Sequence, residues 1–318
     1  MLVTIVDPDS GAGYDYTGLA AWELDWGGDP NSGNLVTSAE GVQAQCRASS
    51  GTLDGTKCLL AGWVTSATYR PEIINHASEY HDGIWSSSIY RINDSWESTS
   101  IEATYSGGCD DLLVRGIQVG SSSSAAAYSL SLNNPDGDTI VERCIVKNET
   151  ASPTGYGIIV NYGGAGRVSN CLVYDHGSGF YGTGGSTYFN NCTAANCVTG
   201  YKFDADPIFK NCLAADNTTD FGSGSYHASC TNNCSEDASA PGSSARTSGT
   251  VTFEDAASDD YHLSASDTHA KGYGVDLSGD TYPVTVDIDN VTRGSTWDIG
   301  ADQVSVDAAG GARNMMVI

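Results

Sequence analysis

The chain has 318 residues, 38 glycines and only 17% charged residues, with 39 acidic against 14 basic side chains for a formal charge of −25. A field of that sign repels nucleic acid, anionic lipid and polyanionic glycans unless metal ions intervene, and no apolar run is long enough to span a bilayer. Nucleic acid and membrane are therefore not expected partners, and solubility or a saline habitat is the plain reason for the charge.

The first residues, MLVTIVDPDSGAGYDYTG, lack the basic start and apolar core of a secretory signal. The expected location is a virion or the cell exterior, reached without a signal in this chain. Residues 1–34 form an N-terminal cap. Thr17 is the expected N-cap of a helix carrying Leu19, Trp22 and Trp26 on one face, laid over the first coil of a solenoid whose open end must be covered. Residues 35–105 are irregular early coils with Trp63, Trp85 and Trp96.

The regular part follows, within coils assigned to 35–234. Asn170-Cys171, Asn191-Cys192 and Asn211-Cys212 recur at steps of 21 and 20 residues, and Gly116 and Cys144 extend the cysteine phase backwards at steps of 28 and 27. Three residues upstream of that phase stand Leu113, Val141, Val168, Phe189 and Phe209. One residue upstream stand Arg115, Arg143, Asn170, Asn191 and Asn211. Four downstream come Asn148, Asp175, Asn196 and Asp216, and nine downstream Phe180, Tyr201 and Phe221. Apolar, small and turn-forming residues each holding a phase of 20 to 30 residues mark a solenoid whose units bury their faces on one another. Segments such as Val168 to Tyr174 are short, rich in β-branched and aromatic residues and bounded by Gly, Asn, Asp and Ser, so the unit is β. Stacked at about 4.8 Å, the cysteines form a buried ladder, the aromatics a stack, and the Asn/Asp set a column of left-handed turn residues.

Residues 235–318 hold a polar loop or linker at 235–250, closing coils ending in a DIGA turn (Asp298 to Ala301), and an apolar end, GGARNMMVI, expected to bury against another subunit or fold back. The ten cysteines mostly fall at repeat phases and so are expected as free, buried thiols, as in a chain that folds in a reducing compartment. Cys230 and Cys234 could pair, but no second pair stands at zinc spacing beside them, and no metal site is expected.

These repeats, with DYTGLAAWE, LLAGWVTSATYRPEI, EYHDGIW and the DIGA closing turn, resemble the right-handed parallel β-helix of the pectate-lyase-like superfamily, of the type found in bacteriophages and environmental bacteria. The likeness covers roughly residues 70–300. It implies an all-β single solenoid with an N-terminal capping helix. It implies little about function, because the fold hosts lyases, hydrolases, tailspikes and adhesins.

Candidate chemistry must lie outside the structural phases. Arg115 and Arg143 share a phase and are expected above one another, an anion site if Glu142 does not neutralise them. Lys202, Asp204 and Asp206 share the loop KFDADP, where the carboxylates could hold Ca²⁺, the one cofactor considered. Asp175-His176 has the composition of an acid–base pair but a turn address, and the tail carboxylates Asp287, Asp289, Asp298 and Asp302 belong to the closing turn. No catalytic set is assigned. A lyase would need a base against a metal-neutralised uronate, and a hydrolase two carboxylates flanking one bond. The expected function is a non-catalytic virion or surface structural protein of the decoration, spike or fibre type, a homotrimer that contacts other virion or surface proteins and binds a polysaccharide. The alternative is a polysaccharide lyase or glycoside hydrolase acting along the outer face.

Overall fold

A computed structural model describes residues 1–27, 33–94, 99–104, 109–122, 128–133, 137–150, 154–161, 165–183 and 187–304. Among the described residues the chain winds through three parallel sheets of eight, seven and seven strands, and each regular coil adds one strand to each sheet. Leu112–Arg115 lies in the first sheet, Gln118–Ser121 in the second and Tyr128–Asn133 in the third. Asp138–Glu142 then returns to pair beside Leu112–Arg115. This is the expected parallel β-helix. The helix Leu19–Trp26 covers its N-terminal end.

The corner between the first and second sheets is two residues long, and its first residue is left-handed in coil after coil. Gly116, Arg143, Asn170, Asn191, Asn211 and Asn232 have φ between +50° and +68°. Side chains with a Cβ pay for this conformation, and Asn pays least. That explains the Asn of each Asn-Cys pair. It also corrects the first coil: Glu142 pairs with Arg115 and Ile145 with Gln118, so Gly116 stands over Arg143 and Ile117, not Gly116, over Cys144. Arg115 and Arg143 are therefore one rung out of step and do not stack. The expected second column holds at Asp175, Asn196 and Asp216, all left-handed, whereas Asn148 ends the strand Ile145–Asn148 and lies outside the left-handed set.

Inside the coil, Cys144, Cys171, Cys192 and Cys212 are fully buried, and all ten cysteines are free thiols. Their Sγ atoms reach backbone carbonyls, as from Cys212 to Phe189 O at 3.1 Å. Phe180, Tyr201 and Phe221 stack with centroids 4.9 and 4.6 Å apart. Phe189 and Phe209 stack at 5.3 Å and meet the first column edge-on.

The caps differ in detail from expectation. Trp22 is fully buried and stacks on Trp63 at 5.7 Å, while Trp26 is partly buried and donates to Tyr16 Oη. Thr17 is not the N-cap. That position is Gly18, and the first helical amide, at Leu19, donates 2.8 Å to the carboxylate of Asp54 from a later coil, which also accepts from Tyr90 Oη. The strand Leu2–Val6, before the helix, already pairs in the first sheet. At the other end, the segment expected as a loop or linker is a cap: Asp220 N donates to Asp237 and Phe221 N to Ser239 Oγ, covering the last strand edge of the third sheet.

From residue 260 the chain turns back along the solenoid. The second sheet is apolar on both faces, with Val146, Val173, Ala194 and Ala214 inside and Leu172, Tyr174, Ala195 and Leu213 outside, because Tyr261, Leu263, Ile288, Ile299 and Ala301 of this tail bury its outer face. The corner asparagines hold the tail as well. Asn170 Nδ2 donates to Val286 O, Asn211 exchanges two hydrogen bonds with Val275 at 2.8 and 2.9 Å, and Asn232 Nδ2 donates to Tyr273 O. Glycine would satisfy the backbone at these corners but could not make these bonds. The apolar end GGARNMMVI lies outside the described residues. Among those that are described, no helix is long and apolar enough to cross a membrane.

Candidate functional site on the outer face of the third sheet

Among the described residues, the tail covers the second sheet and its corner with the first and leaves the outer face of the third sheet open. Leu130, Ile158, Phe180, Tyr201 and Phe221 point inward in register. Tyr128 and Tyr156 pair on the outside, their rings 5.4 Å apart, and Tyr181 of the next coil stacks on Tyr156 at 5.0 Å. The Lys202 ammonium lies 4.8 Å from the Tyr181 ring and donates 3.1 Å to Tyr156 Oη, while Tyr181 Oη donates to Asp204. These contacts form a ridge of half-buried rings with a cation against it.

A polar track runs beside the ridge. Lys57 pairs with Glu102 at 2.7 Å, and Asn133 Nδ2 donates to Glu102 and to Ser131 Oγ. Asn161 Nδ2 donates 2.6 Å to Asn133 Oδ1, and Thr183 Oγ1 donates 2.7 Å to Asn161 Oδ1. From Glu102 to Thr183 each rung comes from the next coil, so polar groups recur about every 4.8 Å along the axis. Lys57 and Lys202 locally offset Glu102 and Asp204, on a chain that is otherwise strongly negative.

Of the residues expected at a site, Lys202 and Asp204 are brought together here through the tyrosines. Asp206 is exposed two residues farther on. Arg115 and Arg143 lie elsewhere. Arg115 is paired with Glu142, and Arg143 donates to Asn290 of the tail and lies 3.8 Å from Glu142. Their charges are thus met from within the protein, at a join between coil and tail. The Asp175-His176 pair is structural: Asp175 occupies its left-handed corner and accepts from Asn196 Nδ2. His176 is fully buried, and desolvation pushes its pKa down to about 3.

Sequence reasoning did not find Tyr128, Tyr156, Asn133 and Asn161. The signal was available: YSLSLN at 128–133 and YGIIVN at 156–161 start with Tyr, end with Asn and lie one coil apart.

Hydrolysis by two carboxylates needs them about 5 to 9.5 Å apart. Glu102 and the strand of Asp204 are separated by the rungs of Ser131, Ile159 and Tyr181, at least about 19 Å at the parallel-strand spacing. These two groups cannot act on one bond.

A family model described as right handed beta helix region matches residues 115–291. A solved structure titled "Crystal structure of pectate lyase Pel9A" is similar over 95% of this chain and 96% of its own, with a TM-score of 0.44 and 11% sequence identity. No curated protein matches the chain.

Proposed function

We propose that this chain, which belongs to the right-handed β-helix family, binds an uncharged or weakly charged polysaccharide along the outer face of its third sheet. The observation that carries the reading is the track Glu102, Asn133, Asn161 and Thr183 beside the Tyr128, Tyr156 and Tyr181 ridge. Amide and hydroxyl groups repeated once per coil suit the hydroxyls of a glycan laid along the axis, and a net charge of −25 disfavours polyuronates. The binding is non-catalytic, and the protein serves as a structural component of a virion or cell surface, assembled as a homotrimer with its neighbours there. A stable monomer across a wide concentration range in sedimentation would refute the assembly without touching the binding face.

Calorimetry against a panel of neutral and acidic glycans tests the binding. Tyr156→Ala and Asn161→Ala are each expected to weaken the best ligand about tenfold, the loss of roughly 1.4 kcal/mol of contact. Absence of binding across the panel, or binding unmoved by both substitutions, would overturn the proposal. Release of reducing or unsaturated ends by the wild-type protein would replace it with the lyase or hydrolase reading.

A further inference from the structure

We propose that His262, Asp289 and Asp302 bind one divalent transition-metal ion of the Zn²⁺ class, which fastens three parts of the returning tail to one another. The site lies on the tail, away from the third sheet, and does not depend on glycan binding. His262 sits on the strand Asp260–Leu263, Asp289 in the turn after Ile288, and Asp302 directly after the DIGA segment. One ligand atom from each lies within 4.8 Å of the other two.

The geometry admits a metal as well as a hydrogen bond. His262 Nε2 is 3.1 Å from both carboxylate oxygens of Asp289. A charged N–H···O bond would draw one oxygen to about 2.7–2.9 Å, whereas a tetrahedron with bonds of about 2.0–2.1 Å has edges near 3.3 Å. On the far side of the ring, Nδ1 lies 2.5 Å from Asp260 Oδ1. A carboxylate there orients a ligating imidazole and fixes the proton on the nitrogen that faces away from the metal.

Room for an occupant lies beside these ligands. A cavity of about 10 Å³, the size of one water or a bare ion, is lined by His262, Asp302, Thr193 and Gly83 on one side and by apolar side chains, Leu172 and Ile288 among them, on the other. Gly83 comes from an early coil, and a Cβ on it would stand 2.3 Å from His262 Nε2 and 2.5 Å from Asp289 Oδ1, so only glycine lets that coil approach the place where those two ligands face each other. One nitrogen with two carboxylates favours Zn²⁺ or Mn²⁺ over Ca²⁺, which takes six to eight oxygens. Ligands drawn from three segments of the tail give the ion a structural role.

The full chain, stripped with EDTA, would be loaded with ZnCl₂ or MnCl₂, dialysed, and assayed for metal by mass spectrometry and for thermal unfolding. The expected result is a single retained ion per chain and a higher melting temperature that EDTA reverses. His262→Gln and Asp302→Asn should lose the ion, and Asp260→Asn should weaken it by about 10- to 100-fold. If a variant fails to fold, the wild-type arm still decides. Wild-type protein that retains neither metal and melts unchanged would overturn the proposal and leave the His262 imidazolium as the cation of the cluster. Equal retention by wild type and folded His262→Gln would overturn it too, by placing the ion elsewhere.

Discussion

The corner asparagines make two separable contributions, and a pair of glycine substitutions separates them. Asn191 and Asn211 are both fully buried and both left-handed, with φ of +51° and +53°. Glycine keeps that backbone conformation and removes an equal side-chain volume from each site, so the cavity and backbone costs largely cancel between the two variants. What differs is the amide. Asn211 exchanges two hydrogen bonds with Val275 of the tail, whereas the side-chain amide of Asn191 has no hydrogen-bond partner among the described residues. A buried group left unsatisfied costs about 1–3 kcal/mol. Val275 is half-exposed, so water recovers part of the loss, and Asn211→Gly should be about 2 kcal/mol more destabilising than Asn191→Gly. That is roughly a 30-fold difference in the opening equilibrium of the tail. Hydrogen exchange of the amides from Val275 to Asp280, with urea unfolding of the whole chain alongside, measures both levels. Equal losses in the two variants would refute the idea that the asparagines hold the tail and would reduce them to turn formers.

Two further predictions follow from burial. His176 is neutral in the folded chain because desolvation pushes its pKa to about 3 against the ordinary 6.5, so only the unfolded chain takes up its proton as pH falls. Its contribution is fully present above about pH 6.5 and is lost toward pH 3 at about 1.4 kcal/mol per pH unit; His176→Leu should flatten the fall of the urea midpoint between about pH 6 and 4, and an unchanged slope would show that the ring is not neutral and buried. The thiols of Cys144, Cys171 and Cys192 are pushed well above their ordinary range by burial, so a thiol reagent at mildly alkaline pH should leave the native chain unlabelled and label all ten cysteines in denaturant. Rapid native labelling would mean that the ladder opens.

The fold was legible where the repeat was strict and became illegible where one residue type could play two parts. From Cys144 to Cys212 the cysteine phase and the apolar residue three places upstream agree, and from Cys171 the aromatic nine places downstream joins them, because one coil can bury only one register. At Gly116 the sequence offers a small residue that resembles the cysteine position but takes the left-handed corner instead, and the strand pairing of Arg115 with Glu142 decides it. That single slip produced the expectation of stacked arginines. The site was harder to see for a different reason. An outward-facing residue is not constrained by packing, so Tyr128 and Tyr156 keep their step of one coil while Tyr181 moves to a neighbouring column and still completes the stack.

The tail is what links the repeat to the site. A column of asparagines does more than a column of glycines would, since it provides both left-handed corners and amides that bind a chain running back along the helix. Lys147 with Asp259 and Lys210 with Asp280, each at 2.6 Å, tie the same tail to the second and first sheets. The outer residues of the second sheet can then be apolar, as Leu172, Ala195 and Leu213 are, because they are covered. On the third sheet the described outer residues satisfy one another instead, through tyrosine stacking and the Asn133, Asn161 and Thr183 hydrogen bonds. A face that is ordered by its own ladder, rather than by the tail, is pre-organised for a ligand and loses little entropy on binding one. Loosening the tail through Asn211→Gly should therefore leave glycan affinity at the third sheet unchanged.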